Sequence, residues 1–295
     1  MGYILAADVG GTKLATAIFR KDGTVLKSAE ILSEKNDEEK LFQSLIDSFK
    51  SLCMSTSLKI GDINGIAVGI PGIVDSIKGI AIFQNNLPWR DFPIAERLAN
   101  EFPKSQIVVD NDVYMASWGE YTNRGFSSET FVYITLSTGI SCCTISKGTF
   151  FRGAGMAGEI GFNLTDIPKT SLESLVSGPS LEAKGRKLLD SPNLTLKEMM
   201  EIYYSGDERI SPIVKEAVCT LAKAIYHIFV FADPHCIVLG GGVFNHHPEL
   251  IENVKKEVGE HLHHTMLRGK EARIEPSSYG GKAGLHGAAF RVMAN

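Results

Sequence analysis

Apolar and polar positions alternate in a pattern that changes period repeatedly along the chain. Residues 3–7 form an apolar run that stops at Asp8, and Val9, Gly10, Gly11, Thr12 and Lys13 come next. Leu14, Ala15, Ala17, Ile18 and Phe19 then make a second, alternating run. This pattern predicts strand, tight turn, strand. Lys21-Asp22-Gly23-Thr24 predicts a turn and residues 25–32 a third strand. Over 37–53, Leu41, Leu45, Ile46 and Phe49 recur at helical spacing. Residues 65–70 are an unbroken apolar run, the mark of a parallel strand covered on both faces, and Pro71-Gly72 ends it. A helix over 92–102, a strand over 106–109 and a helix over 113–121 complete the first part. Strands alternating with helices predict an α/β sheet.

Near the midpoint the pattern starts again. Residues 130–136 are apolar, Ser137-Thr138-Gly139 turns, and 140–146 predicts a second strand. This repeat of strand, Gly/Thr turn, strand reads as an internal duplication and hence as two related domains. Residues 152–180 are rich in glycine and proline and predict loops. Val214, Val218, Leu221, Ala222 and Ile225 mark a helix over 211–231, and a buried strand over 237–239 leads into Gly240-Gly241-Gly242. A strand over 272–275 and a helix over 283–292 close the chain. No low-complexity linker interrupts it, so the domains are expected to be closely joined, with a cleft between them.

Composition narrows the function classes. A chain of 295 residues, 44% hydrophobic, can bury a large core. Charged residues are 22% and the formal net charge is −4, which argues against a nucleic-acid surface. No apolar stretch reaches membrane-spanning length, and the first residues read as a strand rather than a signal peptide. The five cysteines, Cys53, Cys142, Cys143, Cys219 and Cys236, are scattered and odd in number. They are expected to be free thiols in a reducing, cytoplasmic setting.

The turn at Gly10-Gly11-Thr12 admits two readings. Its backbone N–H groups can close on an anion, with Lys13 adding a cation and Asp8 holding a metal-bound water, as a nucleotide triphosphate with Mg²⁺ requires. It can equally be a hairpin that uses Gly-Gly for its turn. Asp110-Asn111-Asp112 ends a strand and opens a helix, the edge at which α/β sheets bind ligands, although an N-cap needs only one of the three. Gly240-Gly241-Gly242 would let a flat ring approach the backbone, or simply turn the chain. Gly153-Ala154-Gly155-Met156-Ala157-Gly158 fits a dinucleotide fingerprint only in form, since no helical stripe comes after it. His246, His247, His261, His263 and His264 lie in polar segments and read as a solvated face, with no cysteine or acidic partner at ligand spacing.

Taken together in order, these motifs resemble the ROK family of bacterial sugar kinases and related repressors, on the actin/hexokinase/Hsp70-like (ribonuclease H-like) fold. Asp8-Val9-Gly10-Gly11-Thr12-Lys13 resembles its first phosphate motif and Ser137-Thr138-Gly139 its second. Ile70-Pro71-Gly72-Ile73-Val74-Asp75 and Asn86-Leu87-Pro88-Trp89 resemble its sugar-side segments. Asn111-Asp112 resembles the catalytic pair. Ala157-Gly158-Glu159-Ile160-Gly161 and Ser171-Leu172-Glu173 resemble the sugar-binding signature, and Val238-Leu239-Gly240-Gly241-Gly242 the adenosine motif.

The resemblance implies a two-domain α/β protein, divided as 1–112 with 283–295 and 113–282, the last helix packing back on the first domain. It implies ATP-dependent phosphorylation of a hexose or amino-sugar hydroxyl, the 6-hydroxyl, by a homodimer that binds neither nucleic acid nor membrane. Asp112 would be the catalytic base. Asp8 would hold Mg²⁺ through water. Gly10, Gly11, Thr12, Lys13, Thr138, Gly139, Gly240, Gly241 and Gly242 would bind ATP, and Gly72, Asn86, Asn111, Asp112, Glu159 and Glu173 the sugar. Glucose, N-acetylmannosamine and a β-glucoside all remain open.

Departures accompany the match. Phe162 stands where the family has a histidine, and residues 163–171 carry none of the family's zinc-binding cysteines, so no structural zinc is expected. Ser137 replaces a usual glycine, Ser141-Cys142-Cys143 a glycine-rich run, and Tyr114 a usual asparagine. These changes keep a second reading in view, a catalytically weak or inactive sugar-binding regulator of the same family. Family repressors bind DNA through a preceding helix-turn-helix. Two residues precede the first strand here, so direct DNA binding is not expected.

Overall fold

A computed structural model of the chain describes residues 2–263 and 266–294. The first elements are β1 (Tyr3–Val9), β2 (Lys13–Arg20), β3 (Val25–Leu32), α1 (Glu38–Ser55) and β4 (Ile63–Ile70). Three short strands come next, β5 (Ile73–Asp75), β6 (Ile80–Phe83) and β7 (Arg90–Phe92), then α2 (Ile94–Glu101), β8 (Gln106–Asn111) and α3 (Asp112–Asn123). The second half runs β9 (Thr130–Leu136), β10 (Ile140–Ser146), β11 (Thr149–Phe150), α4 (Leu172–Val176), α5 (Gly178–Leu189), α6 (Leu196–Tyr204) and α7 (Ser211–Ala232). It ends with β12 (Cys236–Gly240), α8 (Gly242–His246), α9 (Glu249–His261), β13 (Ile274–Pro276) and α10 (Ala283–Ala294).

The chain packs as two units, Met1–Gly125 with Lys282–Asn295, and Phe126–Gly281. The division therefore falls after α3 and not at 112/113, because α3 packs along α10 within the first unit. The two helices come together at glycines: a Cβ on Gly287 would sit 1.6 Å from the Met115 carbonyl oxygen, and one on Gly119 would sit 2.9 Å from the Ala283 carbonyl oxygen.

In the first unit the strands run in the order β3-β2-β1-β4-β8, with β1, β4 and β8 parallel. Alternate residues of β1 serve opposite faces, and both faces are covered. Leu5, Ala7 and Val9 join Leu41, Leu45 and Phe49 of α1 in one core, and Ile4 and Ala6 join Met115, Leu285 and Ala288 in another. That is why β1 and β4 are largely apolar rather than alternating, with Asp8 and Asn64 near opposite ends of the two strands. Asp37 caps α1, accepting hydrogen bonds from the Glu39 and Lys40 amides. The antiparallel sheet β5-β6-β7 is an addition the apolar pattern does not reveal. Trp89 anchors it, fully buried and stacked on Phe92 at 5.4 Å.

The second unit repeats the arrangement with the order β11-β10-β9-β12-β13, and β9, β12 and β13 parallel. Its core lies against α7 and α9, with Leu221, Ile225, Val254 and Val258 buried against Ile134 and Leu239. Helices α5, α6 and α9 are additions to the elements expected from the sequence. Among the described residues no helix is long and apolar enough to cross a membrane.

Candidate active site

In the first unit the strand ends do the positioning. The register pairs Asp8 of β1 with Gly69 of β4, and Gly69 with Asp110 of β8. The carboxyl ends of the three parallel strands are therefore level, and the segments that leave them share one edge of the sheet. Asn111 caps α3: its side-chain oxygen accepts from the Val113 amide at 2.9 Å and the Tyr114 amide at 3.3 Å, while its amide donates to the Gly72 carbonyl at 3.0 Å. Asn111 is thus committed to holding α3 and the Pro71-Gly72 turn. Asp112 is the first residue of the helix it caps. Asp110 is buried and accepts from the Asn111 amide at 2.9 Å.

Asp8 carries the clearest electrostatic signature. Removal from water, and then the neighbouring Asp112 carboxylate, push its pKa up from 3.8 to about 7. The first turn of α10 lies directly on it, since a Cβ on Gly284 would come 2.4 Å from the Asp8 Oδ2. Two carboxylates crowded in this way fit a hard divalent cation, whose charge would offset both causes of the shift.

The Gly10-Gly11-Thr12 turn closes with the Gly10 amide on the Lys13 carbonyl at 2.9 Å. Ser33 braces it, its hydroxyl donating to the Gly10 carbonyl and its amide to the Thr12 carbonyl. The turn faces Asn86, whose Cβ is 2.9 Å from where a Gly11 Cβ would stand. Lys13, expected at the phosphates, is engaged across the sheet in this structure. Its ammonium sits 2.5 Å from the Glu30 carboxylate across the sheet, an exposed diagonal pair on one face.

In the second unit the corresponding turn, Ser137 to Gly139, joins β9 to β10. The Ser137 amide donates to the Gly139 carbonyl, and the Ser137 carbonyl accepts from the Gly178 amide at the start of α5. Glu173 tucks beneath it, accepting from the Ile140 amide at 3.1 Å. Glu159 is nearby, with its pKa raised by partial burial and then by Glu173. Ser137 and Thr138 form one wall of a cavity of about 690 Å³, with Leu196, Tyr204, Gly242 and His247 among the others.

Of the three glycines, only Gly242 lines this cavity. A Cβ on Gly240 would strike the Tyr133 ring, and Gly241 combines a φ of +88° with a Cβ position 2.5 Å from the Leu136 carbonyl oxygen. Those two are glycine for packing and turning, one of the readings the sequence leaves open. Leu196 and Tyr204 escape sequence reasoning because they lie at the two ends of α6, a short helix far in sequence from the glycines.

Two histidines do not belong to a solvated face. His247 is buried at the cavity, and burial, then His246, lowers its pKa. His261 is partly buried beside Glu257, one helical turn earlier. His246 and His263 are exposed, and His264 lies outside the described residues. The segment where the family's zinc ligands would fall is instead a small hairpin. Leu164 bridges Ser171, the Thr165 and Thr170 hydroxyls bond each other, and Asp166 pairs with Lys223.

Known proteins resemble the chain along nearly its whole length. It is 29% identical to a glucokinase of Halalkalibacterium halodurans, covering 98% of this chain and 94% of that protein. It is 27% identical to an N-acetyl-D-glucosamine kinase of Haemophilus influenzae, with 96% of each covered. Its fold matches a ROK family glucokinase from Streptomyces griseus, solved with glucose and AMPPNP, with a TM-score of 0.82 at 22% identity over the full length of both. A ROK family transcriptional regulator also shares the fold, with a TM-score of 0.82 at 16% identity over 99% of this chain and 78% of that one. The model of the ROK family matches residues 4–294, and the chain belongs to that family.

Proposed function

We propose that this protein is an ATP-dependent sugar kinase that phosphorylates a hexose or amino-sugar hydroxyl, with the 6-hydroxyl as acceptor. The observation that carries the reading is the crowding of Asp8 and Asp112 at the level strand ends of the first unit. Asp112 takes the proton of the attacking hydroxyl as oxygen bonds to the γ-phosphorus and ADP leaves. Asp8 would hold Mg²⁺ through water, and the ion, when bound, would supply positive charge to offset that on the phosphates. Gly11 and Thr12 offer backbone amides to the phosphates, as do Thr138 and Gly139, while the Gly10 amide closes the first turn on the Lys13 carbonyl. The adenosine lies in the 690 Å³ cavity on Gly242, beside Tyr204.

Gly72, Asn86, Glu159 and Glu173 are the proposed partners of the sugar hydroxyls. Asn111 acts through the Gly72 turn and the α3 cap. Little covalent help is needed for this transfer, so alignment and charge supply most of the rate. Glucokinase and amino-sugar kinase relatives support this class of acceptor. The working assembly is a homodimer in the cytoplasm.

ADP release measured across glucose, N-acetylglucosamine, N-acetylmannosamine and a β-glucoside tests the reading. Turnover on at least one of them, lost in Asp112→Asn, is the expected outcome. A regulator is the alternative, favoured by Phe162, exposed at a position where the resemblance expects histidine, and by the regulator that shares the fold. Sugar binding with no single-turnover transfer of phosphate would select it.

A further inference from the structure

Outside the kinase site, helices α7 and α9 of the second unit bring together three side chains of a different chemistry. Glu257 and His261 are four residues apart on α9 and so project from one face of that helix. Cys219 faces them from α7. The Cys219 sulfur, a Glu257 oxygen and a His261 ring nitrogen all lie within 4.8 Å of one another. All three residues are partly buried. Among the described residues the buried His261 Nε2 finds no hydrogen-bond partner. Its nearest acidic atom is the Glu257 Oε1, at 3.9 Å, beyond hydrogen-bond length. A buried ring nitrogen without a partner calls for an explanation. With the imidazole proton on Nδ1, Nε2 presents a lone pair to the group.

We infer that Cys219, Glu257 and His261 form a binding site for one divalent transition-metal ion of the zinc class. Thiolate, imidazole and carboxylate are its preferred donors, and a tetrahedral ion holds such donors roughly 3.3–3.8 Å apart. The observed spacing needs about an ångström of side-chain rotation to close. On binding, the Cys219 thiol gives up its proton to solvent and sulfur bonds the ion. Cys219 also lines a pocket of about 260 Å³, through which an ion and a water as fourth ligand can enter. Lys223 stands one turn along α7 from Cys219, and its cationic charge is engaged by Asp166.

The site shares no residue with the segment 163–171, where family zinc ligands would fall, so the expectation of no zinc there is unaffected. Its effect would be to clamp α7 to α9, the two long helices that cover the core of the second unit. Such a clamp does not depend on which sugar, or whether any, is phosphorylated.

Titration of the full-length, chelator-treated protein with Co²⁺ tests it. One equivalent should produce the intense visible bands of tetrahedral cobalt, with a thiolate-to-cobalt charge-transfer band in the near ultraviolet. Zn²⁺ should then displace the cobalt and bleach both. Cobalt held by Asp8 and Asp112 would be oxygen-ligated and would show no thiolate band. Cys219→Ser should abolish the charge-transfer band, and His261→Gln should weaken cobalt binding at least tenfold. Circular dichroism reports that each variant is folded. No charge-transfer band in the wild-type protein would overturn the inference. So would a band that persists undiminished in Cys219→Ser, or in His261→Gln at unchanged affinity.

Discussion

The two units share one strand order and spend it on different chemistry. Each sheet has its first three strands antiparallel to their neighbours and its last two parallel to the first, and each places a tight turn after its first strand. In the first unit the parallel strand ends carry Asp8, Asp110 and, one step on, Asp112. In the second, β9 ends in Leu136 and β12 in Gly240, and the space beyond them is a largely apolar cavity. Topology fixes where a ligand can be met, since both sites lie past the carboxyl ends of parallel strands. The residues at those ends decide which part of a substrate is met. Carboxylates suit a metal and a proton; glycine and aromatic walls suit a flat ring.

If that division of labour is right, damage to the carboxylate edge should reduce turnover, and damage to the cavity should weaken nucleotide binding. The largest effect is expected for Asp112→Asn. It keeps the α3 start intact, because Asn111 makes the cap. Loss of a general base should lower kcat by roughly 10²–10⁴-fold. Steady-state kinetics on the best sugar checks it, and near wild-type turnover would remove Asp112 from the chemistry.

Gly284→Ala is the next largest. Alanine favours the helix, a gain of less than about 1 kcal/mol taken by itself. The added methyl, however, would stand 2.4 Å from the Asp8 Oδ2 and must displace that carboxylate. A displacement of that kind should cost about 10²-fold in turnover. Thermal melts alongside kinetics separate the two effects, and full activity would mean that Asp8 need not sit where it does.

Tyr204→Ala addresses the other unit. Removing one aromatic wall of the cavity should raise the KM for ATP roughly tenfold, the equivalent of about 1.4 kcal/mol, with kcat little changed. Titration with a non-hydrolysable ATP analogue reads this directly. A fall in kcat with unchanged nucleotide affinity would place the purine elsewhere.

Much of this is legible in the sequence, and the exceptions have physical causes. Strands β3, β9 and β10 match the expected spans residue for residue: β9 and β10 are buried along most of their length, whereas the mostly exposed β3 is placed by the Lys21-Asp22-Gly23-Thr24 turn before it. The carboxylate edge is readable because its members end strands. The cavity wall is not, because α6 contributes Leu196 and Tyr204 from a nine-residue helix with too few turns to establish a period. The Lys13 pairing is not legible because a cation beside a glycine turn carries no sign of which partner it meets, and here Glu30 across the sheet is one. His261 reads as part of a solvated face because Cys219 lies 42 positions earlier and only the packing of α7 on α9 brings them together.

The smallest expected effect concerns stability, and it sharpens the comparison at the first unit's edge. The Asp8 carboxyl titrates near 7 in the folded chain, against 3.8 ordinarily, because burial and then Asp112 disfavour its charge. A carboxyl whose pKa rises on folding favours the folded state fully only below its unfolded pKa. That contribution is lost as pH rises from about 4 through about 7, leaving a partly buried negative charge that opposes folding. In metal-free protein, stability from this source should therefore decline across that window. Asp8→Asn should flatten the profile and raise the stability at pH 8 by about 1–2 kcal/mol over the wild-type chain. Mg²⁺ at millimolar concentration should narrow the gap, because the ion compensates the wild-type carboxylate and has nothing to compensate in the variant. Chemical denaturation at pH 5 and pH 8, with and without Mg²⁺, distinguishes these outcomes. A wild-type profile that is flat, or that rises with pH at this residue's expense, would mean that Asp8 is charged and comfortable without a cation, and that the edge is not built to hold one.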